Sequence, residues 1–369
     1  MTRSEALRED ADLVARLGGD EFIVLMPASG GGWSADAVCG RLMRAVTEPV
    51  EIAGLSVTVG VSIGVALAPM HGKDFGTLLR CADIAMYDAK KLQLGWEVYR
   101  PELAERDALD LALDSDLRRG IAAGELELHY QGCFTAVTQS LSRVEALVRW
   151  RHPHRGLMPP GEFVPVAERS GAIRAVTRCV IRQALADLSV WRVLNPDLQV
   201  AVNVSARDLS DPEFPRLVQR ALHETGLPGG ALVVEVTETT LLVDADQAVR
   251  SLERLTAAGV QVAIDDFGAG YASLLYLRRF PASLLKLDRS LVAGAAENEG
   301  DRAIVRWTVQ LAHSMGLRVL AEGVESAALQ EVVIALGCDE LQGFHLHRPA
   351  PADELGGLEE LASYPVSSG

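Results

Sequence analysis

From residue 125 onward, one pattern recurs eight times and leaves few folds open. Short apolar runs with period-two alternation lie at 125–131, 142–149, 199–204, 232–237, 260–266, 283–288, 317–322 and 339–344. Helical spacing follows all but the first, as at Ile173–Val193, Pro212–Thr225, Ala245–Ala258, Asp301–Ser314 and Ala327–Leu336. Eight strands with intervening helices predict an α/β fold, a (β/α)8 TIM barrel. Only Gly132–Leu141 separates the first two strands. A parallel crossover needs more chain than that, so this pair is expected to run antiparallel and the barrel to be irregular.

The alternation also sorts the side chains. Ala201, Asn203 and Ser205 share a face against Val200, Val202 and Val204, and Gln261, Ala263 and Asp265 oppose Val260, Val262 and Ile264. Glu145 lies with Leu147 and Arg149, and Lys286 with Asp288. Apolar faces would pack on the outer helices, turning the polar sets inward. Several strands end in a charged or amide group: Glu145, Asn203, Glu235, Asp265-Asp266, Lys286 and Glu322. Burying so many without partners would cost several kcal/mol each, so they require metal ions, counter-charges or open water. Hard oxygen ligands converging on a barrel's C-terminal mouth point to a divalent-metal site acting on phosphate.

Residues 1–100 read as a small α+β piece. A hairpin is expected from Val14–Leu17 and Phe22–Met26, a helix over Ser34–Thr47, and a strand pair from Val50–Ile52 and Ser56–Ala68. A second helix is expected over Thr77–Leu92. Residues 101–123 read as a helical connector, and 124–362 as the barrel. The formal charge of −15 opposes a sequence-independent grip on polymeric nucleic acid. Five scattered cysteines, no membrane-length apolar run and no leader pattern predict reduced thiols in a cytoplasmic protein.

The strings of the larger region resemble the EAL family of cyclic-di-GMP phosphodiesterases, from about Leu113 to Pro351. They are Glu145-Ala-Leu147, Asn203-Val-Ser205, Glu235-Val-Thr-Glu238, Asp265-Asp266-Phe-Gly-Ala-Gly270, Lys286-Leu-Asp288, Glu322-Gly-Val-Glu325 and Gln342-Gly-Phe. The resemblance implies a metal-dependent hydrolase that opens cyclic di-GMP to linear pGpG. Glu145, Asn203, Glu235 and Asp265 would hold one Mg²⁺ or Mn²⁺; Asp265, Asp266 and Glu322 would hold a second. Lys286, Glu322 and Glu238 would serve catalysis: Lys286 by orienting or deprotonating the attacking water, Glu238 by steadying the Asp265–Ser273 loop. Gln131, Arg149, Asp288, Glu325 and Gln342 would face the substrate. Three departures stand out: Gly132 follows Tyr130-Gln131 where proline is usual, Ala269 replaces a loop threonine, and His345 and His347 end the domain. The two histidines are expected to be structural or rim groups.

Arg16-Leu-Gly18-Gly19-Asp20-Glu21-Phe22 resembles the signature of a GGDEF domain, the diguanylate cyclase fold. The family's opening metal-binding strand is expected to lie upstream of Met1, making Gly18, Gly19, Asp20, Glu21 and Phe22 a vestigial or nucleotide-binding turn rather than a cyclase site. A second copy of the chain, as a homodimer, is one way to cover apolar surface on such a remnant. Two rivals to the hydrolase are a receptor that holds cyclic di-GMP uncut and a dual cyclase and phosphodiesterase.

Overall fold

A computed structural model of the chain describes residues 13–18, 21–27, 34–48, 50–52, 55–57, 59–91, 94–237, 240, 245–268 and 278–354. The chain divides into two compact units, Met1–Ala112 and Leu113–Gly369.

In the first unit, β1 (Leu13–Gly18) and β2 (Glu21–Leu25) form the expected antiparallel hairpin, with Gly18 opposite Glu21. A helix over Ala35–Thr47 starts where the Ser34 hydroxyl accepts the Ala37 amide, a side-chain cap for an otherwise orphaned donor. β3 (Val50–Ile52) and β4 (Leu55–Val57) pair antiparallel. The expected single strand over Ser56–Ala68 is divided: β5 (Ile63–Val65) is separate and pairs in parallel with β6 (Trp96–Val98), which the sequence reading missed. Gly60 lies between β4 and β5, where a residue without a side chain weakens a continuous strand. The crossover from β5 to β6 carries the helix Phe75–Lys91, beginning two residues before its expected start. A side chain at Gly64 would collide with the Ala82 carbonyl, so glycine is what lets β5 approach this helix.

The second unit is a closed barrel. Its walls are β7 (Leu126–Thr135), β8 (Leu141–His152), β10 (Gln199–Asn203), β11 (Leu232–Thr237), β12 (Gln261–Phe267), β13 (Leu284–Leu287), β14 (Arg318–Ala321) and β15 (Glu340–Leu341). The short β9 (Gly156–Met158) hangs on β8, and β16 (Ala350–Pro351) on β7. β8 and β10 through β15 run parallel to one another. β7 runs antiparallel to both β8 and β15 and closes the circle, as its short link to β8 requires.

Helices surround this wall, among them Ile173–Trp191, Phe214–Thr225, Ala245–Ala257, Glu299–Ser314 and Ala327–Ala335. The outward residues Val200, Val202, Val234, Val262, Ile264, Leu285 and Val319 join the main core. Inside, the smaller set Cys133, Ala201, Val233, Ala263, Leu284 and Leu320 plugs the barrel. The period-two reading therefore holds on both faces. The helix Pro101–Ala123 spans the dividing point, and its Leu113 and Leu117 belong to the barrel's core.

Candidate metal and phosphate site

Above the apolar plug, each strand offers its next inward residue. Asn203 lies opposite Glu235 across β10 and β11, Gln131 lies opposite Glu145 across β7 and β8, and Lys286 stands two residues above Leu284. The Lys286 ammonium, 1% exposed, is the hub. It lies 2.9 Å from Glu235, 2.9 Å from Glu322, 3.0 Å from Asp265 and 3.4 Å from Glu145. Burial opposes its charge, but the four carboxylates outweigh burial and hold the ammonium well above the ordinary lysine range.

Glu145 and Glu235 share this lysine yet shift in opposite directions. Burial works against the charge of both. Glu145 is held below the usual carboxylate range because Lys286, Gln342 (2.7 Å) and Asn203 (2.9 Å) all donate to it. Glu235 has Lys286 alone, and burial with the charges of Glu145 and Asp265 drives it well above that range. Its second oxygen is buried with no hydrogen-bond partner. A buried, unpartnered carboxylate oxygen on a member of an acidic cluster is what a cation would satisfy. Burial likewise pushes Glu322 up to about 7 and raises Asp266, with the Asp265 charge adding to both shifts.

Two acid sets have ligand atoms within 4.8 Å of one another: Glu145, Glu235 and Asp265, and Asp265, Asp266 and Glu322. Asp265 belongs to both. Asp266 adopts a left-handed backbone (φ 55°), an uncommon choice for a non-glycine residue, and its amide bonds to the Asp265 carboxylate at 3.0 Å. The donor set is hard oxygen throughout and suits a divalent cation.

Other expected residues take more varied places. Gln131 and Gln342 are buried and bonded to each other at 3.2 Å. Arg149 is half-buried, donating to the Val148 carbonyl at 2.9 Å, and burial lowers its pKa while Glu145 opposes that shift. Asp288 caps a helical turn through the Ser290 amide (2.8 Å), and Glu325 pairs with Arg289 at 2.9 Å on the exposed rim. Glu238, the loop from Ala269, and Gly19 with Asp20 lie outside the described residues. The sequence reading missed a buried ion pair one layer down, Arg143 with Glu340 at 2.8 Å. Each sits two residues before a mouth residue, Glu145 or Gln342, so period two alone would have found it. It also missed Cys133 and gave His347 no bonding partner, although both touch the Gln131–Gly132 and Gln342 region.

Compared with known families, residues 114–349 match the EAL domain. This chain belongs to the EAL family. Residues 3–94 match the diguanylate cyclase GGDEF domain. Among similar proteins, Pseudomonas aeruginosa MucR is named a bifunctional diguanylate cyclase/cyclic di-GMP phosphodiesterase. It is 40% identical over 346 residues, 93% of this chain and 50% of that protein. Escherichia coli PdeR, named a cyclic di-GMP phosphodiesterase, is 38% identical over 93% of this chain and 52% of its own length. The chain thus spans about half the length of the curated relatives it matches. A solved structure of PaMucR phosphodiesterase in a c-di-GMP complex superposes with a TM-score of 0.63 at 43% identity, covering 66% of this chain and 99% of that one. No helix among the described residues is long and apolar enough to cross a membrane.

Proposed function

We propose that the EAL barrel of this chain is a divalent-metal-dependent phosphodiesterase that hydrolyses cyclic di-GMP to linear pGpG. The observation that carries the reading is the unpartnered Glu235 oxygen within a full set of mouth acids. The names of its relatives point the same way. Glu145, Asn203, Glu235 and Asp265 would hold one Mg²⁺ or Mn²⁺, and Asp265, Asp266 and Glu322 a second. The five mouth carboxylates against the single Lys286 ammonium leave a formal charge of −4, which two divalent cations match. Ions held there supply Lewis acidity toward a phosphoryl oxygen and lower the pKa of bound water.

The chain's own groups then have distinct tasks. Lys286 keeps its proton at Nζ, orients the attacking water and offsets negative charge that builds on the phosphoester. Glu322 faces the same ammonium and completes the second acid set. Arg149 stands on the same strand face as Glu145, where a guanidinium meets a phosphate well. Gln131 and Gln342 line the mouth beside Glu145, with Asp288 and Glu325 nearer its rim. Glu238 is assigned to steadying the loop that follows Asp266.

The test is incubation of the purified chain with cyclic di-GMP and Mg²⁺ or Mn²⁺, with products resolved by chromatography. We expect pGpG, abolished by a chelator. Intact substrate that is nonetheless bound would move the protein to the receptor class.

A further inference from the structure

Glutamine side chains at a metal site pose a problem of direction. The two ends of the amide are nearly the same shape, but only the NH₂ end can face a carboxylate without repulsion. Gln342 presents its NH₂ to Glu145 at 2.7 Å and to the Gln131 carbonyl oxygen at 3.2 Å. Its own oxygen is met by the Cys133 thiol at 3.5 Å. Cys133 is fully buried in the barrel plug, and burial raises its thiol well above the ordinary range, so it keeps the proton it donates. Gln131 passes the direction on, donating to the His347 carbonyl at 3.1 Å.

His347 is tied in a second way. On one edge, β7 pairs with β16 at His129 and Tyr130 and with β15 at Phe134 and Thr135. The Gly132 amide falls in the gap between these pairings and donates to His347 Nδ1 at 3.2 Å. A buried amide without that acceptor would cost free energy. Leu141 and Phe134 fill the place where a side chain at position 132 would stand.

We infer that Cys133 and His347 are positioning residues that fix the direction of the Gln342 and Gln131 amides and, through them, the placement of Glu145. Donation runs from Cys133 to Gln342 and onward to Glu145 and Gln131, ending at His347; reversing either amide breaks at least two of these bonds. The inference rests on Glu145 being a metal ligand, as proposed above.

The test compares the full chain with Cys133→Ala, Cys133→Ser, Gln342→Ala and the double variant Cys133→Ala/Gln342→Ala, by Mn²⁺ calorimetry and by kcat and KM. Losing one buried donor should weaken Mn²⁺ binding and lower kcat by about threefold to tenfold, with KM unchanged. Cys133→Ser keeps a proton donor and should restore both to within about twofold of the original. In the Gln342→Ala background, Cys133→Ala should have no further effect, since the acceptor is gone. His347→Asn should likewise outperform His347→Ala, because the asparagine oxygen can replace Nδ1 as acceptor. Equal losses in Cys133→Ala and Cys133→Ser, no loss in Cys133→Ala, or additivity in the double variant would overturn the inference. An original chain that takes up no Mn²⁺ would instead sink the metal reading. Exchange of the Gln342 side-chain amide protons would then decide: faster in Cys133→Ala if the inference holds, unchanged if it fails.

Discussion

The two units use similar materials with opposite results. In the first, the described strands form three separate two-stranded sheets, and apolar residues of the hairpin stand open, Leu13 at 62% and Phe22 at 63% exposure. In the second, ten strands form one sheet that closes on itself, and its inward and outward faces are both buried. Two-stranded ribbons are marginal alone, whereas closure gives every wall strand a neighbour on both sides. In the closed unit, five carboxylates and an ammonium stand on or directly after strands of one continuous sheet, which fixes their separations. Chemistry is therefore expected to follow the barrel, and the predictions are ways to break that division.

The largest effect should come from the mouth acids. Glu145→Ala or Asp265→Asn should lower hydrolysis by about a hundredfold or more, measured as pGpG formation at saturating Mn²⁺. Near-normal turnover in either would contradict the ligand assignment.

Lys286→Ala should lower kcat by about a hundredfold with a smaller change in KM. It should also destabilise the metal-free chain by about 3–5 kcal/mol, because it strands buried carboxylates. Denaturation with and without Mn²⁺ separates the two effects. A variant that changed KM alone would make Lys286 a substrate clamp.

Within the single helix Pro101–Ala123, the contrast between units can be read from two leucines. Leu117 is fully buried in the barrel's core, whereas Leu111 is 74% exposed. Leu117→Ala should cost about 2–5 kcal/mol in urea unfolding and Leu111→Ala less than about 0.5. Similar costs would show that the helix packs otherwise.

The smallest effect is expected in the first unit. Glu21→Ala, or a chain shortened to begin at Arg106, should hydrolyse cyclic di-GMP within about twofold of the full chain, since neither change touches the barrel's core. GTP given to a Glu145→Ala chain should yield no cyclic di-GMP. Its accumulation would assign the hairpin a working site.

Much of the barrel was legible because period two and helical spacing are strong signals over runs of five or more residues. All eight wall strands lie where the apolar runs fall, although β15 proves to be only two residues long. The antiparallel start followed from loop length alone. The three-residue strands β6 and β9 and the two-residue β16 carry too little alternation to read, and β6 depends on a partner more than thirty positions away. The mouth acids were legible as strand-end polar groups. What Gln131 and Gln342 do there was not, since their partners Cys133 and His347 are set by tertiary approach, across intervals that no local pattern encodes.

The closure of the wall by β7 has a consequence for synthesis. The first wall strand to leave the ribosome pairs with the last, and Glu145 receives a bond from Gln342, nearly two hundred residues later. A growing chain that has made every mouth acid still lacks its seam. The site should therefore appear in one step, only after Leu341 and Gln342 have been made, and a ribosome stalled before Glu340 should carry a chain with every expected metal ligand and no hydrolase.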